Sequence, residues 1–271
     1  MLPTDADLTA YKEQGCIILR QAFSPERMEA LLQAIHHLMD RALAGQVELG
    51  WVDRDKRVPA RTSHLLAPDK YEEAFGVWLH EDLADQIEAM LGGRSARHSL
   101  FGMLASGAEP YRQQWHRDLV KPGSPDEEVL LRRFQGCFVQ FNAPLLVGDR
   151  FLQIVPGSHC RASTPEEIRV AAKQQGEGMP GAMQVELEPG DIVYYNANLW
   201  HRGWNPQGIM RWTMHCAFWG AEYAVMKHDY GQHEALLTPG HMERMPARAR
   251  TFIQRYLDCY PEGDPKSLLE L

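Results

Sequence analysis

Between residues 134 and 219 the chain alternates short apolar segments with turn residues, and this pattern limits its fold more than any other feature. Residues 134–141, 151–155, 183–187, 191–195 and 209–219 are rich in β-branched and aromatic side chains and read as strands. Pro156-Gly157-Ser158, Pro189-Gly190 and Asn205-Pro206-Gln207-Gly208 separate them. Several short strands divided in this way predict a β-sandwich or jelly roll. Thr164-Pro165-Glu166-Glu167 is a capping box and predicts a helical insert within the β region.

The flanks read differently. Residues 16–19 form a short strand, then Ser24 caps a helix with Pro25 at its first position. Met28, Leu31, Leu32, Ile35, Leu38, Met39 and Ala42 recur at helical spacing. A second helix is expected over 81–91, stopping at Gly92-Gly93. The tail returns to helix, with Phe252, Ile253, Tyr256 and Leu257 as its apolar face. No internal repeat or low-complexity linker interrupts the chain. One domain over 1–271 is therefore expected: helical to about 95, a β core over about 96–220, and a helical tail.

Charge narrows the function. The net charge of -8 gives no general attraction for nucleic acid. Arg54, Lys56, Arg57 and Arg61 form the nearest thing to a basic run, but Asp53 and Asp55 interleave with them. Such mixed signs read as a solvated surface, with an anion site as the alternative. The five cysteines are odd in number and contain no C-x-x-C, so neither a zinc ribbon nor a disulfide framework is indicated. Reduced cysteines, an N-terminus without a leader pattern and the lack of a long apolar run point to a cytoplasmic protein with no membrane segment.

Among twelve histidines, three short patterns pair one with an acid. Residues two apart share a face on a strand but diverge on a helix. His80 and Asp82 fall at the start of the 81–91 helix and read as solvated. His241 and Glu243 lie beside Pro239-Gly240 and read as surface. His116 and Asp118 stand instead in an extended-looking stretch, with Trp115 and Arg117 on the opposite face. His201 follows the strand ending near Tyr195. If Asn205 and Gly208 close a hairpin, residue 202 faces 211, and Arg211 lies on the diagonal from His201. The returning strand then sets Arg211, Thr213, His215 and Ala217 on one face, and Trp212, Met214, Cys216 and Phe218 on the other.

Two histidines and one carboxylate on one face of a metal leave three positions open, the facial triad of non-haem Fe(II) oxygenases. A 2-oxo acid fills two of them and O₂ the third. Its far carboxylate then wants a planar cation, a task that suits Arg211. A structural salt bridge to an acidic neighbour is the other reading of that arginine.

At these residues the chain resembles the phytanoyl-CoA dioxygenase-like family of Fe(II)/2-oxoglutarate-dependent oxygenases. Tyr11 to Arg20 with Phe23-Ser24-Pro25-Glu26 looks like its opening strand and helix. Trp115 to Leu119 looks like its H-x-D motif, and Val155 to His159 is similar to its P-G-S-H turn. Leu187 to Asp191 resembles its G-D strand entry, and His201 with Arg211 its distal histidine and cosubstrate arginine. The resemblance implies a double-stranded β-helix, a cupin-like jelly-roll core with helices packed outside. It implies ferrous iron at His116, Asp118 and His201, and 2-oxoglutarate at Arg211. Hydroxylation of a small organic metabolite, with release of succinate and CO₂, would follow. His159 is expected to be structural.

Family members often carry Ser or Thr two residues after the distal histidine, where this chain has Gly203. A second cosubstrate contact is then sought elsewhere, at Ser99 or Gln140. Residues 121–133 read as a loop beside the metal, either a lid or part of the rim. The alternatives are a metal-dependent jelly-roll enzyme that does not use 2-oxoglutarate, and a non-catalytic scaffold of the same fold. A halogenase is disfavoured, because Asp118 fills the position a halide would need.

Overall fold

The computed structural model describes residues 1–107, 110–173 and 178–267, apart from the side chains of His228 and Tyr230. Its strands are β1 (Cys16–Leu19), β2 (Trp51–Asp53), β3 (Val58–Pro59), β4 (Ala96–Ser106), β5 (Tyr111–Arg112), β6 (Phe138–Pro144), β7 (Asp149–Ile154), β8 (Met183–Leu187), β9 (Ile192–Tyr195), β10 (His201–Asn205) and β11 (Arg211–Gly220). Five of them form an antiparallel sheet in the order β1-β9-β6-β11-β4, and four form a second in the order β5-β10-β7-β8. The non-sequential order of two antiparallel sheets with helices outside is a jelly-roll arrangement.

The larger sheet has two chemically different faces. Trp212, Met214, Cys216 and Phe218 of β11 join Phe101, Met103, Phe141 and Tyr194 in the main apolar core. That core is completed by Leu31, Ile35 and Leu38 of the Pro25–Leu43 helix, and by Phe252, Ile253 and Tyr256 of the Ala247–Asp258 helix. Trp78 sits at the junction, with ring contacts to Phe23, Phe101 and Phe141. The other face carries Gln140, Asn142, Tyr195, Arg211, His215 and Ala217 and lines a cavity. The period of two expected for 211–218 thus separates core from cavity.

Capping is as the sequence indicates. Ser24 accepts the Arg27 N–H, and both halves of the Thr164/Glu167 box are formed. The helix expected over 81–91 is longer. It runs as Glu73–Trp78, a π turn Leu79–Leu83, and Ala84–Met90, ending before Gly92 and Gly93, both at positive φ. Its start escaped notice because Glu72 offers no side-chain cap. Within the π turn His80 accepts the Arg248 N–H, and Asp82 pairs with Arg27.

Three expectations fail. β10 does not pair with β11: it lies between β5 and β7, while β11 lies between β4 and β6. The Asn205–Gly208 turn exists, with the Asn205 side chain bonded to both backbone groups of Ile209, but its two arms pass into different sheets. Residues 121–133 are not loop throughout, since Glu127–Arg133 is helix. His241 is not on the surface; it is buried, with Nε2 2.8 Å from the Leu66 carbonyl.

Candidate metal centre

An isolated antiparallel bridge ties His116 to His201, each N–H donating to the other's carbonyl at 3.1 Å. This sets the two imidazoles side by side, 4.2 Å between ring centroids. Asp118 is held one pleat further on, by its N–H to the Ala197 carbonyl at 2.9 Å. On the opposite face Arg117 is buried against the Ser158 carbonyl, Glu127 and the Trp200 ring, so the alternation around the H-x-D pattern holds.

Each imidazole is pinned through Nδ1, His116 by the Gln114 carbonyl at 2.8 Å and His201 by the Leu199 carbonyl at 2.9 Å. A neutral imidazole that donates through Nδ1 leaves Nε2 as a lone pair, the form a metal requires. Those Nε2 atoms lie 3.4 and 3.6 Å from the two oxygens of Asp118. Ligand atoms from all three residues fall within 4.8 Å of one another. Burial opposes charge on Asp118, but the facing His201 and His116 outweigh it and hold the carboxyl well below its usual range. With Nδ1 of each imidazole held by a carbonyl and Asp118 ionised, two Nε2 nitrogens and one carboxylate converge, and the donor set suits a divalent transition metal.

Arg211 opens β11 on the wall of the same cavity. Its Nε donates to Thr213 Oγ1 at 3.1 Å and lies 3.5 Å from Asp149 Oδ2, while its guanidinium lies over Phe151. Thr213 in turn donates to Asp149. The acidic neighbour weighed for Arg211 therefore exists. Yet Nη2 is buried without a hydrogen-bond partner, so the cation is neutralised on one side and uncommitted on the other.

Gln140 reaches the cavity but donates to Asp118 Oδ2 at 3.2 Å, so it braces the candidate metal ligand. Ser99 also lines the wall, with its hydroxyl given to Asp229. At Gly203 an added Cβ would lie 2.6 Å from Tyr111 Cε1, and the Gly203 N–H is taken by Gln113. The volume a Ser or Thr side chain would use there is already filled. His159 Nε2 faces the Lys12 carbonyl and its ring packs against Gly15, a structural placement.

Sequence reasoning left two residues without a role, Asp149 beside Arg211 and His215 on the cavity wall. Asp149 is 3% exposed, and nothing in its local sequence announces its distant partners. His215 was placed on the correct face, but its partner was not foreseen. On neighbouring strands in register, His215 Nδ1 stands 2.8 Å from Asn142 Oδ1. Burial, and next the charge of Arg61, push His215 down to about 3, so it is neutral and turns an acceptor Nε2 to the cavity. The cavity encloses about 1000 Å³.

Comparison with known proteins agrees with this geometry. The family model described as phytanoyl-CoA dioxygenase matches residues 11–126, a stretch that includes His116 and Asp118. Over that stretch the chain is similar to that family. Among solved structures, AviO1 from Streptomyces viridochromogenes Tue57 is similar at 21% identity and a TM-score of 0.55, over 81% of this chain and 96% of that one. EctD from S. alaskensis with bound Fe aligns at 16% identity and a TM-score of 0.60, over 82% and 79%. SnoK, a non-heme alpha ketoglutarate dependent carbocyclase from nogalamycin biosynthesis, aligns at 15% identity and 0.58, over 90% and 91%. At such identities the likeness establishes the fold. No curated protein matches the chain in sequence.

Proposed function

We propose that the protein is an Fe(II)- and 2-oxoglutarate-dependent oxygenase that hydroxylates a small organic molecule, releasing succinate and CO₂. The observation that carries this reading is one cavity holding both a His–Asp–His donor set, its two Nε2 atoms turned to Asp118, and a buried arginine with an uncommitted nitrogen. The fold's neighbours support it: one is EctD with bound Fe, another EctD with 2-oxoglutarate and 5-hydroxyectoine.

In this reading His116, His201 and Asp118 hold the iron, and Gln140 fixes the orientation of the Asp118 carboxylate. Arg211 Nη2 receives the far carboxylate of 2-oxoglutarate, with Thr213 and Asp149 keeping the guanidinium in place. The bound iron, with 2-oxoglutarate and O₂, supplies the oxidising power that replaces a substrate C–H bond by C–OH. Among the described residues no helix is long and apolar enough to cross a membrane, which accords with a small-molecule enzyme, here proposed to be cytoplasmic.

Anaerobic titration tests the reading. Fe(II) should bind at about one ion per chain, and 2-oxoglutarate should then produce a visible charge-transfer band. Arg211→Met should weaken 2-oxoglutarate by about 2–5 kcal/mol while iron stays in place. The Arg211–Asp149 pair favours a second reading, a metal enzyme of this fold without 2-oxoglutarate. Unchanged 2-oxoglutarate affinity in Arg211→Met would select it. Full iron content in both His116→Ala and His201→Ala would refute the metal assignment.

A further inference from the structure

The cavity's described lining is positively charged in a chain whose net charge is -8. Five of the described lining residues are Lys or Arg, and two are acids. Part of this charge is neutralised locally. Arg117 pairs with Glu127, Arg211 with Asp149, and Asp229 with Arg97 and Ser99. Arg61, Lys121 and Lys227 remain, and among the described residues none of their side chains has a hydrogen-bond or ion-pair partner. Elsewhere the surface cations commonly find acids, as in Arg20–Asp191, Arg41–Glu72, Arg57–Asp40 and Arg248–Asp85. Exposed Lys12, Arg54 and Arg250 also have no acid beside them among the described residues, but Arg61, Lys121 and Lys227 differ in lining one cavity.

Their placement is built. Thr62 forms a two-way backbone bridge with Met103 of β4, at 3.0 and 2.8 Å, which carries the neighbouring Arg61 to the cavity mouth. That approach requires Gly102, where a Cβ would lie 2.7 Å from the Thr62 carbonyl oxygen. Lys121 follows buried Val120, three residues beyond Asp118. Lys227 opens a 3-10 segment, Lys227–Gln232, whose Asp229 is locked by Arg97 and Ser99. Arg61 and His215 line the same cavity, and the charge of Arg61 is the second cause, after burial, of the low proton affinity of His215.

We propose that the substrate carries an anionic end group, a carboxylate or a phosphate ester, held by Arg61 with Lys121 and Lys227 while its body lies against Leu100, Leu104 and Phe138. This rests on the oxygenase reading of the same cavity. There a ferrous ion and 2-oxoglutarate cancel in charge, so the three cations face only the carboxylate of Asp118. A substrate anion supplies what is missing, and cations at the mouth draw it in before contact. The interleaved basic run then has two parts. Lys56 and Arg57 are paired on the surface with Asp53 and Asp40, and Arg61 belongs to the cavity.

The test uses the anaerobic protein with Fe(II) and saturating 2-oxoglutarate, which keeps probes away from Arg211. Octanoate, octyl phosphate, octanamide and octanol are titrated by calorimetry, while the charge-transfer band independently reports iron and 2-oxoglutarate. At least one of the two anions should bind about tenfold or more tightly than octanamide, and the better one distinguishes carboxylate from phosphate. Arg61→Met should remove most of that preference and Arg61→Lys should keep part. Lys121→Met and Lys227→Met should each cost about two- to fivefold, with a steeper loss at low salt. Octanamide binding as well as both anions, no binding by any probe, or a preference that survives all three methionine substitutions together would each overturn the proposal. Loss of the band with the anion preference retained would count against the oxygenase reading alone.

Discussion

Asp149→Asn is the most informative single change at the cosubstrate end of the cavity, because it keeps shape and removes charge. Asp149 and Arg211 are 3% and 5% exposed and stand 3.5 Å apart. At an effective dielectric near 20, a pair at that distance attracts by about 5 kcal/mol. Breaking a buried pair from one side commonly costs about 3–5 kcal/mol, because the remaining charge is left without a partner. Asparagine retains one acceptor oxygen for Thr213, so the lower end applies, about 3 kcal/mol. At about 2–3 °C per kcal/mol for a chain of this size, the unliganded protein should melt roughly 6–9 °C lower. The cost belongs to the stranded guanidinium, so Arg211→Met should relieve it. The double variant should then be more stable than the sum of the single costs by about 2 kcal/mol. The stranded cation should also gain most from a ligand carboxylate, so 2-oxoglutarate should raise the melting point of Asp149→Asn more than that of wild type. Thermal melts of the four proteins, with and without 2-oxoglutarate, measure both effects. Additivity within about 0.5 kcal/mol would refute the reasoning.

Three further outcomes are expected. Gly203→Ser should lower stability by about 1–3 kcal/mol, because its Cβ would meet Tyr111 at 2.6 Å, and Tyr111→Ala should restore most of the loss in thermal melts. Asp191 opposes its own burial with bonds from the Gln21 and Glu188 N–H groups and from Arg20, which hold its carboxyl below the usual range. A depressed folded value means that this stability is present above the unfolded value of about 3.9 and is lost as pH falls toward the folded value. The Asp191→Asn protein should therefore show a flatter stability curve between about pH 5 and 3, and an unchanged slope would contradict this. Asp118→Gly should bind iron more weakly without losing it and should form almost no succinate, while Asp118→Glu should keep more iron and still lose most activity. Turnover of Asp118→Gly at the wild-type rate would remove Asp118 from the ligand set.

The parts of this protein that the sequence made legible are those whose cause is local. Alternation along β11 sorts Arg211 and His215 from Trp212 and Met214 because a strand has a period of two whatever it pairs with. The Ser24 cap and the Thr164/Glu167 box act over three residues, so they are complete within a few letters. The H-x-D pattern works likewise, since an extended backbone sets His116 and Asp118 on one side. What could not be read depends on partners distant along the chain. β4 was missed because Arg97, His98 and Ser99 look too polar for a buried strand, and they are tolerable there only because Asp229 and Gln232, more than 120 residues later, satisfy them. The pairing of β10 was misjudged because a tight turn fixes a reversal of direction and not the sheet each arm joins. Arg211 came out near His201 although the hairpin meant to bring it there does not form: the two sheets face one cavity, so residues on opposing inner faces meet without sharing a ladder. The same logic explains Arg61. In its local run it is one more surface cation, and only the bridge from Thr62 to Met103, across 41 residues, brings it to the cavity.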